Sequence, residues 1–283
     1  MKRILFLVFV LQLGVFALIA QIPYEGIACE DYKTIDTSRL VLSYEFLQVR
    51  DTSKPEEKSH DHSILEIGRN YSRFYSYYLC RYDSLYTALM KRGASGMPGA
   101  REDIFPVDIY KEYAAGIVIV VQRTPMRGLF EYMERLNPMT WEVTGDAKRI
   151  LNYSCKKATC VFRGRKWVAW FTPDIPLSDG PWKFSGLPGL ILQAEDSLGQ
   201  YKFNCIGIGN EERDIRIVQS YGIEKTNRER MRELEKPICT NYFDYLQIVM
   251  PGLKNFRTRQ GEKMTREQVN QRFLTPYNPI ELE

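Results

Sequence analysis

The chain reads as a single α+β domain, a curved and mostly antiparallel β-sheet with a few helices packed on one side. Three observations predict it. Short segments of period-two hydrophobicity recur from Leu40 to Gln219 with turn residues between them. Apart from one short helix near Leu85, capped helical patterns appear only after that series, and no shift of composition divides the chain.

Leu40, Leu42, Tyr44 and Phe46 alternate with less apolar neighbours, the pattern of a strand with one buried face, and Leu65 and Ile67 repeat it. Gly68-Arg69-Asn70 turns the chain into Ser72-Arg73-Phe74-Tyr75-Ser76-Tyr77-Tyr78, an aromatic run suited to a strand. Asp83 is placed to cap a helix through Leu85, Leu89 and Met90 that stops at Gly93. The stretch 93–106 holds three glycines and two prolines and is expected to be a surface loop. Seven further strands are expected over 116–122, 128–135, 153–163, 166–172, 190–195, 201–207 and 214–219. Thr226 and Glu229 then form a capping box for a helix that carries Met231 and Leu234 and ends at Pro237. A second helix, 241–250, presents Phe243, Leu246, Ile248 and Met250. From about residue 253 the chain is a polar extension, and its proline-rich end, Pro276 to Glu283, is expected to be extended.

Residues 1–20 carry Lys2 and Arg3, an apolar run from Ile4 to Ile19, and Ala20, the pattern of a secretory signal peptide; the domain then spans 21–283. Cys29 follows the small residue Ala28, as in a lipoprotein, but Pro23, Tyr24 and Glu25 separate it from the apolar run. No later apolar segment is long enough to span a membrane. With Lys+Arg 39 against Asp+Glu 35, a formal net charge of +4, the balance points to no nucleic-acid partner. All six cysteines, Cys29, Cys80, Cys155, Cys160, Cys205 and Cys239, lie past the signal, and an even count in an oxidising compartment favours disulfides of unspecified pairing. Their spacing contains no Cys-x-x-Cys, which disfavours a zinc ribbon.

Catalytic chemistry is poorly represented. No Gly-x-Ser-x-Gly elbow or metalloprotease helix motif occurs, and no cofactor motif is visible, so no cofactor is expected. His60 and His62 flank Asp61 in a polar segment read as a loop ahead of a strand; on extended backbone both imidazoles share a side and are the candidate metal ligands. Asp174, Asp179 and Glu195 cluster near tryptophans and are the candidates for a glycan hydrolase. Arg163, Arg165 and Lys166 read as solvated residues of a basic hairpin.

The most distinctive segment runs Gly180-Pro181-Trp182-Lys183-Phe184-Ser185-Gly186-Leu187-Pro188-Gly189-Leu190-Ile191. Its Gly-Pro and Pro-Gly pairs supply rigid turns, so that Trp182 and Phe184 can fold over the sheet as a plug. On the functional reading Trp170, Trp182, Lys183, Phe184 and Leu187 rim a ligand pocket. It is no phosphate cradle, because Pro188 removes an amide and no Lys-Ser/Thr pair follows.

Together with Asn152 to Thr159, Gly164-Arg165, Ala169 to Pro176, Ile67-Gly68, Ser72 to Tyr75 and Asn278-Pro279-Ile280-Glu281, this segment resembles the GLPGLI family of exported Bacteroidetes proteins. The resemblance implies an envelope location, and it transfers no activity and no catalytic residue. The architecture is similar to periplasmic lipoprotein-carrier half barrels. The expectation is a non-enzymatic protein in the periplasm or at the inner face of the outer membrane of a Gram-negative bacterium. Its partner is expected to be a lipid or other apolar or envelope-derived ligand, or an outer-membrane protein. The other readings are a metal-binding accessory protein using His60/His62 and a glycan hydrolase.

Overall fold

The computed structural model describes residues 24, 26–94, 104–125, 128–136, 139–219, 222–250, 256, 261–273 and 276–283. The expected signal peptide, most of the loop over 93–106 and much of the stretch after Gly252 lie outside the described residues.

The strands are β1 (Tyr32–Thr37), β2 (Leu40–Val49), β3 (Lys58–Ile67), β4 (Tyr71–Ser76), β5 (Val107–Glu112), β6 (Ile117–Thr124), β7 (Gly128–Arg135), β8 (Glu142–Ile150), β9 (Tyr153–Phe162), β10 (Arg165–Thr172), β11 (Leu190–Asp196), β12 (Tyr201–Gly209), β13 (Asp214–Val218) and β14 (Ile223–Lys225). Helix α1 (Tyr77–Lys91) follows β4, and α2 (Arg228–Thr240), α3 (Tyr242–Val249) and α4 (Arg266–Phe273) follow β14. Twelve strands form one open sheet in the order β14-β7-β6-β5-β4-β3-β2-β12-β11-β10-β9-β8, while β1 and β13 pair in a separate ribbon. The large sheet is antiparallel except for β14, which runs parallel to β7.

Period-two alternation divides the sheet into two faces. The inner face carries the main core, with Leu42, Tyr44 and Phe46 on β2, Val118 and Val120 on β6, Trp167 and Ala169 on β10, and Phe203 on β12. On the other face, Tyr110, Ile119, Val121 and Leu129 pack under the ribbon through Val218, Ile35 and Ile217. Val41, Ile64 and Tyr75 pack there against Cys80 of α1. Strands β5 and β6 are therefore buried on both faces, whereas the outward residues of β9 to β12 are at least partly exposed.

Several elements depart from the sequence expectation for identifiable reasons. His60-Asp61-His62 is strand and not loop, because all ten residues of β3 pair with β2, from Leu40↔Ile67 to Val49↔Lys58. Backbone pairing carries the strand past its hydrophobic half. Helix α1 starts six residues before Asp83: Ser76 caps it, its Oγ accepting from the Leu79 amide at 3.2 Å. Asp83 lies inside the helix, buried against Arg123 at 2.7 and 2.5 Å, and Leu85 and Met90 face solvent. Strands β1, β5, β8 and β14 escape the hydrophobic pattern. Strand β5 buries Asp108 and Lys111 among its apolar residues, and β8 is an exposed sheet edge. Asn227, not Thr226, caps α2, accepting from the Arg230 amide at 2.8 Å, and the helix runs through Pro237 to Thr240. The chain end, expected to be extended, is neither helix nor strand and bends at Ile280, and helix α4 interrupts the polar stretch before it.

The cysteines also depart from expectation: all six are free thiols. Cys155, Cys160 and Cys205 are packed in the main core as small apolar groups. Burial raises their thiols, those of Cys160 and Cys205 to about 12, which suppresses the reactive thiolate. Alkylation of native protein at pH 8 is therefore expected to leave Cys160 and Cys205 unmodified, and urea should release both, as read by peptide mass mapping. Modification of either in the native state would contradict this packing.

Candidate functional site

Between β10 and β11 the chain leaves the sheet and folds back across its inner face. Leu190 donates its amide to Ile175 O at 3.0 Å, and Ile191 donates to Asp179 O at 3.0 Å. Asp179 and Ser185 form an isolated bridge, and Trp141 Nε1 donates to Ser185 O at 2.8 Å. The glycines have steric reasons. A Cβ at Gly189 would collide with the Thr172 carbonyl and lie 2.7 Å from its carbon, and one at Gly180 would sit 2.8 Å from Ile191 Cβ. Gly189→Ala is expected to cost about 3 kcal/mol or more, because backbone must move; thermal unfolding tests this, and a near-neutral variant would refute the close approach.

Trp182 has a left-handed backbone, φ 51°, a strained geometry that points its indole into the core. It packs on Trp167 with ring centroids 5.8 Å apart and on Phe184 at 5.1 Å, and Phe184 meets Trp167 at 4.8 Å. Trp182, Phe184 and Leu187 are all buried, so they fill the space they were expected to rim.

Two buried cations tie this plug to the fold, and a third ties the chain end to the sheet beside it. The Lys111 ammonium uses all three donors, on Asp179 Oδ1, on Gly180 O at 2.8 Å and on Phe184 O at 2.8 Å. Tyr113 donates to the other Asp179 oxygen at 2.7 Å. Burial pulls the Lys111 ammonium below the ordinary lysine range, against the opposing charge of Asp179. Lys183, half of the same plug, pairs with Glu134 and, at 2.6 Å, with Glu281 near the chain end. Arg228 Nε reaches the second Glu281 oxygen at 2.5 Å.

Arg165 is the third, and it is buried, not a solvated turn residue. Its guanidinium bonds Asp196 and Gln200 at 2.9 Å each, Asn278 Oδ1 at 2.7 Å, Pro279 O at 2.6 Å and Ile280 O at 3.1 Å. All five donors are used.

Burial pushes the Glu281 carboxyl up, and the Lys183 and Arg228 charges beside it more than reverse that, so it titrates below the ordinary carboxylate range. A depressed folded-state value stabilises at pH above the unfolded value of 4.5 and loses that contribution as pH falls through the folded one. The stability gap between the protein and Glu281→Gln is therefore expected to be full at pH 7 and to shrink below pH 4.5, as followed by urea midpoints.

The opposite, outward face of β3, β2, β12, β11, β10 and β9 assembles side chains that are remote in sequence. Register places His62 opposite Glu45, Glu45 opposite Asn204, Asn204 opposite Gln193, Gln193 opposite Trp170 and Trp170 opposite Lys157. The row is partly exposed along its length, and on β3, β2, β12, β11 and β10 it is flanked by buried inward neighbours. Asn204 donates to Glu45 at 3.2 Å, and Glu45 meets His60 Nε2 at 2.9 Å. Lys148 donates to Gln193 and lies 4.2 Å from the centre of the Trp170 ring. One row away, Lys202 pairs with Glu195 at 3.1 Å. Trp170 and the two histidines, read separately from the sequence, thus belong to one surface, while Trp182, Lys183, Phe184 and Leu187 belong to the filled side.

His60 and His62 do share a side of β3, as alternation requires. His60 is engaged by Glu45, and His62 stacks near Tyr77 at 5.1 Å. Among the described residues, no group of three His, Cys, Asp or Glu side chains is arranged to hold a metal ion. The three candidate hydrolytic carboxylates are dispersed: Asp174 is exposed on a turn, Asp179 is locked to Lys111, and Glu195 lies on the outward face. The roles of Lys111 and Arg165 were invisible in the sequence, where each is one basic residue among many.

These features define an open mixed-sheet scaffold whose inner face is closed by its own plug and buried ion pairs. Residues 163–193, which span β10 and the whole plug, match a family described as "Protein of unknown function (Porph_ging)". No curated protein matches the chain. Two solved structures are similar to it, "Structure of PNGF-II in P21 space group" (TM-score 0.45, 12% identity) and "Structure of PNGF-II in C2 space group" (TM-score 0.46, 13% identity). Each match covers 70% of this chain, and the chain spans about a third of theirs, 33% and 32%.

Proposed function

We propose that this chain is an exported GLPGLI-type protein of a Bacteroidetes envelope, in the periplasm or at the inner face of the outer membrane. It is a non-enzymatic binder that engages an envelope-derived ligand or an outer-membrane protein through the outward face of β9–β12, β2 and β3. The observation that supports this is the division of the sheet: aromatic side chains and interlocked ion pairs fill the inner face, and an open row of Trp170, Gln193, Asn204, Glu45 and His62 lies on the outer. Two cavities among the described residues bear on an enclosed apolar ligand. One cavity, lined by Val118, Glu134, Phe162 and Lys183 among others, measures about 10 Å³. The other, about 340 Å³, is a surface hollow beside Val161, Phe162, Arg163 and Glu283. Pockets for small apolar molecules enclose roughly 300–1,000 Å³ behind apolar walls. Planar amides, a carboxylate and a half-exposed indole suit a polar surface ligand better than a lipid chain.

Native mass spectrometry of the protein purified from its own envelope tests this. A retained partner mass that is lost in a Trp170→Ala/Asn204→Ala variant is the expected result. A bare mass, or a partner that survives both substitutions, would overturn it.

A further inference from the structure

The chain end is held in a way that a simple tail does not need. Asn278 to Leu282 lie across the β9–β10 turn, the plug and α2 with a bend at Ile280, and each residue is read through its own polar group or backbone. Asn278 donates to Val49 O at 2.7 Å, accepts from Arg165 at 2.7 Å, and its carbonyl accepts from Tyr201. Pro279 and Ile280 offer only carbonyls, both taken by Arg165. At position 279 no amide goes to waste, because proline has none. Ile280 packs against the main core. Glu281 is gripped by Lys183 and Arg228, with Arg163 Nε 3.8 Å away. Leu282 donates its amide to Arg163 O at 2.9 Å and accepts from Arg232 at 2.9 Å. A Cβ at Gly164, whose φ is 74°, would lie 2.8 Å from Leu282 Cβ, so the β9–β10 turn is shaped to the segment.

The receptor side is built from rigid elements and already has partners of its own. Arg165 keeps Asp196 and Gln200, and Lys183 keeps Glu134. Removing the segment would leave Lys183 and Arg163 paired with Glu134 and take from Arg228 the Glu281 carboxylate it bonds, a cationic groove with a vacancy for one carboxylate. We infer that this groove is a peptide-recognition site for an Asn-Pro-Ile-Glu segment, filled here by residues 278–281 of the same chain and able to take the same segment from a second copy. Its affinity lies in the contacts and not in the tether. The tether supplies an effective concentration on the order of 1 mM, which keeps the site self-occupied in dilute solution.

The test uses full-length protein carrying Asn278→Ala and Glu281→Gln, and a fluorescent peptide with the sequence of residues 276–283. Saturable binding to the variant, at least about tenfold tighter than to the unsubstituted protein and not matched by a peptide bearing the same two substitutions, is expected. Equal binding to both proteins, equal binding of both peptides, or no binding to a folded variant would overturn the inference. If the variant is unfolded, the peptide added at about 1 mM during refolding must restore the folded state. Failure to do so overturns it equally.

Discussion

Lys111→Ala is expected to destabilise the protein by about 3–5 kcal/mol, the typical cost of removing one member of a buried ion pair. The ammonium is almost wholly enclosed and bonds Asp179, Gly180 O and Phe184 O. Its loss strands a buried carboxylate and two carbonyls at once, and only Tyr113 and the Gly180 amide, at 2.6 Å, remain on Asp179. The plug should loosen with it, since three of its residues lose their link to β5. Urea unfolding of the single variant and of Lys111→Met/Asp179→Leu separates the causes. If the unpaired charge dominates, the double variant recovers most of the loss, because an apolar pair of similar volume replaces an ion pair at little cost. A Lys111→Ala protein within about 1 kcal/mol of the parent would show that the plug is held by its aromatic packing alone.

Arg165→Ala is expected to cost about 3 kcal/mol and, in addition, to free the chain end. Asp196 still accepts the Gln200 and Tyr201 amides at 2.7 and 2.8 Å, which limits the penalty on that side. Three of the five lost bonds go to Asn278, Pro279 and Ile280, so carboxypeptidase digestion should shorten the variant far faster than the parent. Arg165→Lys is expected to recover little, because an ammonium has three donors and no planar fork. Unchanged digestion of Arg165→Ala would show that the remaining contacts of Asn278, Glu281 and Leu282 suffice to anchor the segment.

Strands with one wet face, such as β2 and β12, were legible because alternation survives in the sequence, and β6 because it is a continuous apolar run. Strand β5 was hidden because Asp108 and Lys111 interrupt its apolar residues, each partnered by residues far along the chain. Strand β8 was hidden for a different reason: as an exposed edge it needs no apolar alternation. The early start of α1 turned on Ser76, whose hydroxyl both caps the helix and donates to Asp61 at 2.9 Å. Asp83 looked like a cap because an acidic residue ahead of an apolar stripe usually is one. Only the buried Arg123 beside it explains its place within the helix.

For the candidate site, Trp170 and the His60/His62 pair were legible as residues but not as neighbours, since four strand pairings separate them. By itself the sequence determined the mostly antiparallel sheet, the position of the plug and the non-helical chain end, because hydrophobic period and the backbone limits of glycine and proline act locally. Tertiary structure alone decided that the plug fills the inner face, that Lys111, Arg165 and Lys183 are buried, and that Lys111 holds the plug while Arg165 and Lys183 hold the chain end. A charge is stable in the interior only where a distant partner meets it, and local sequence does not encode that meeting.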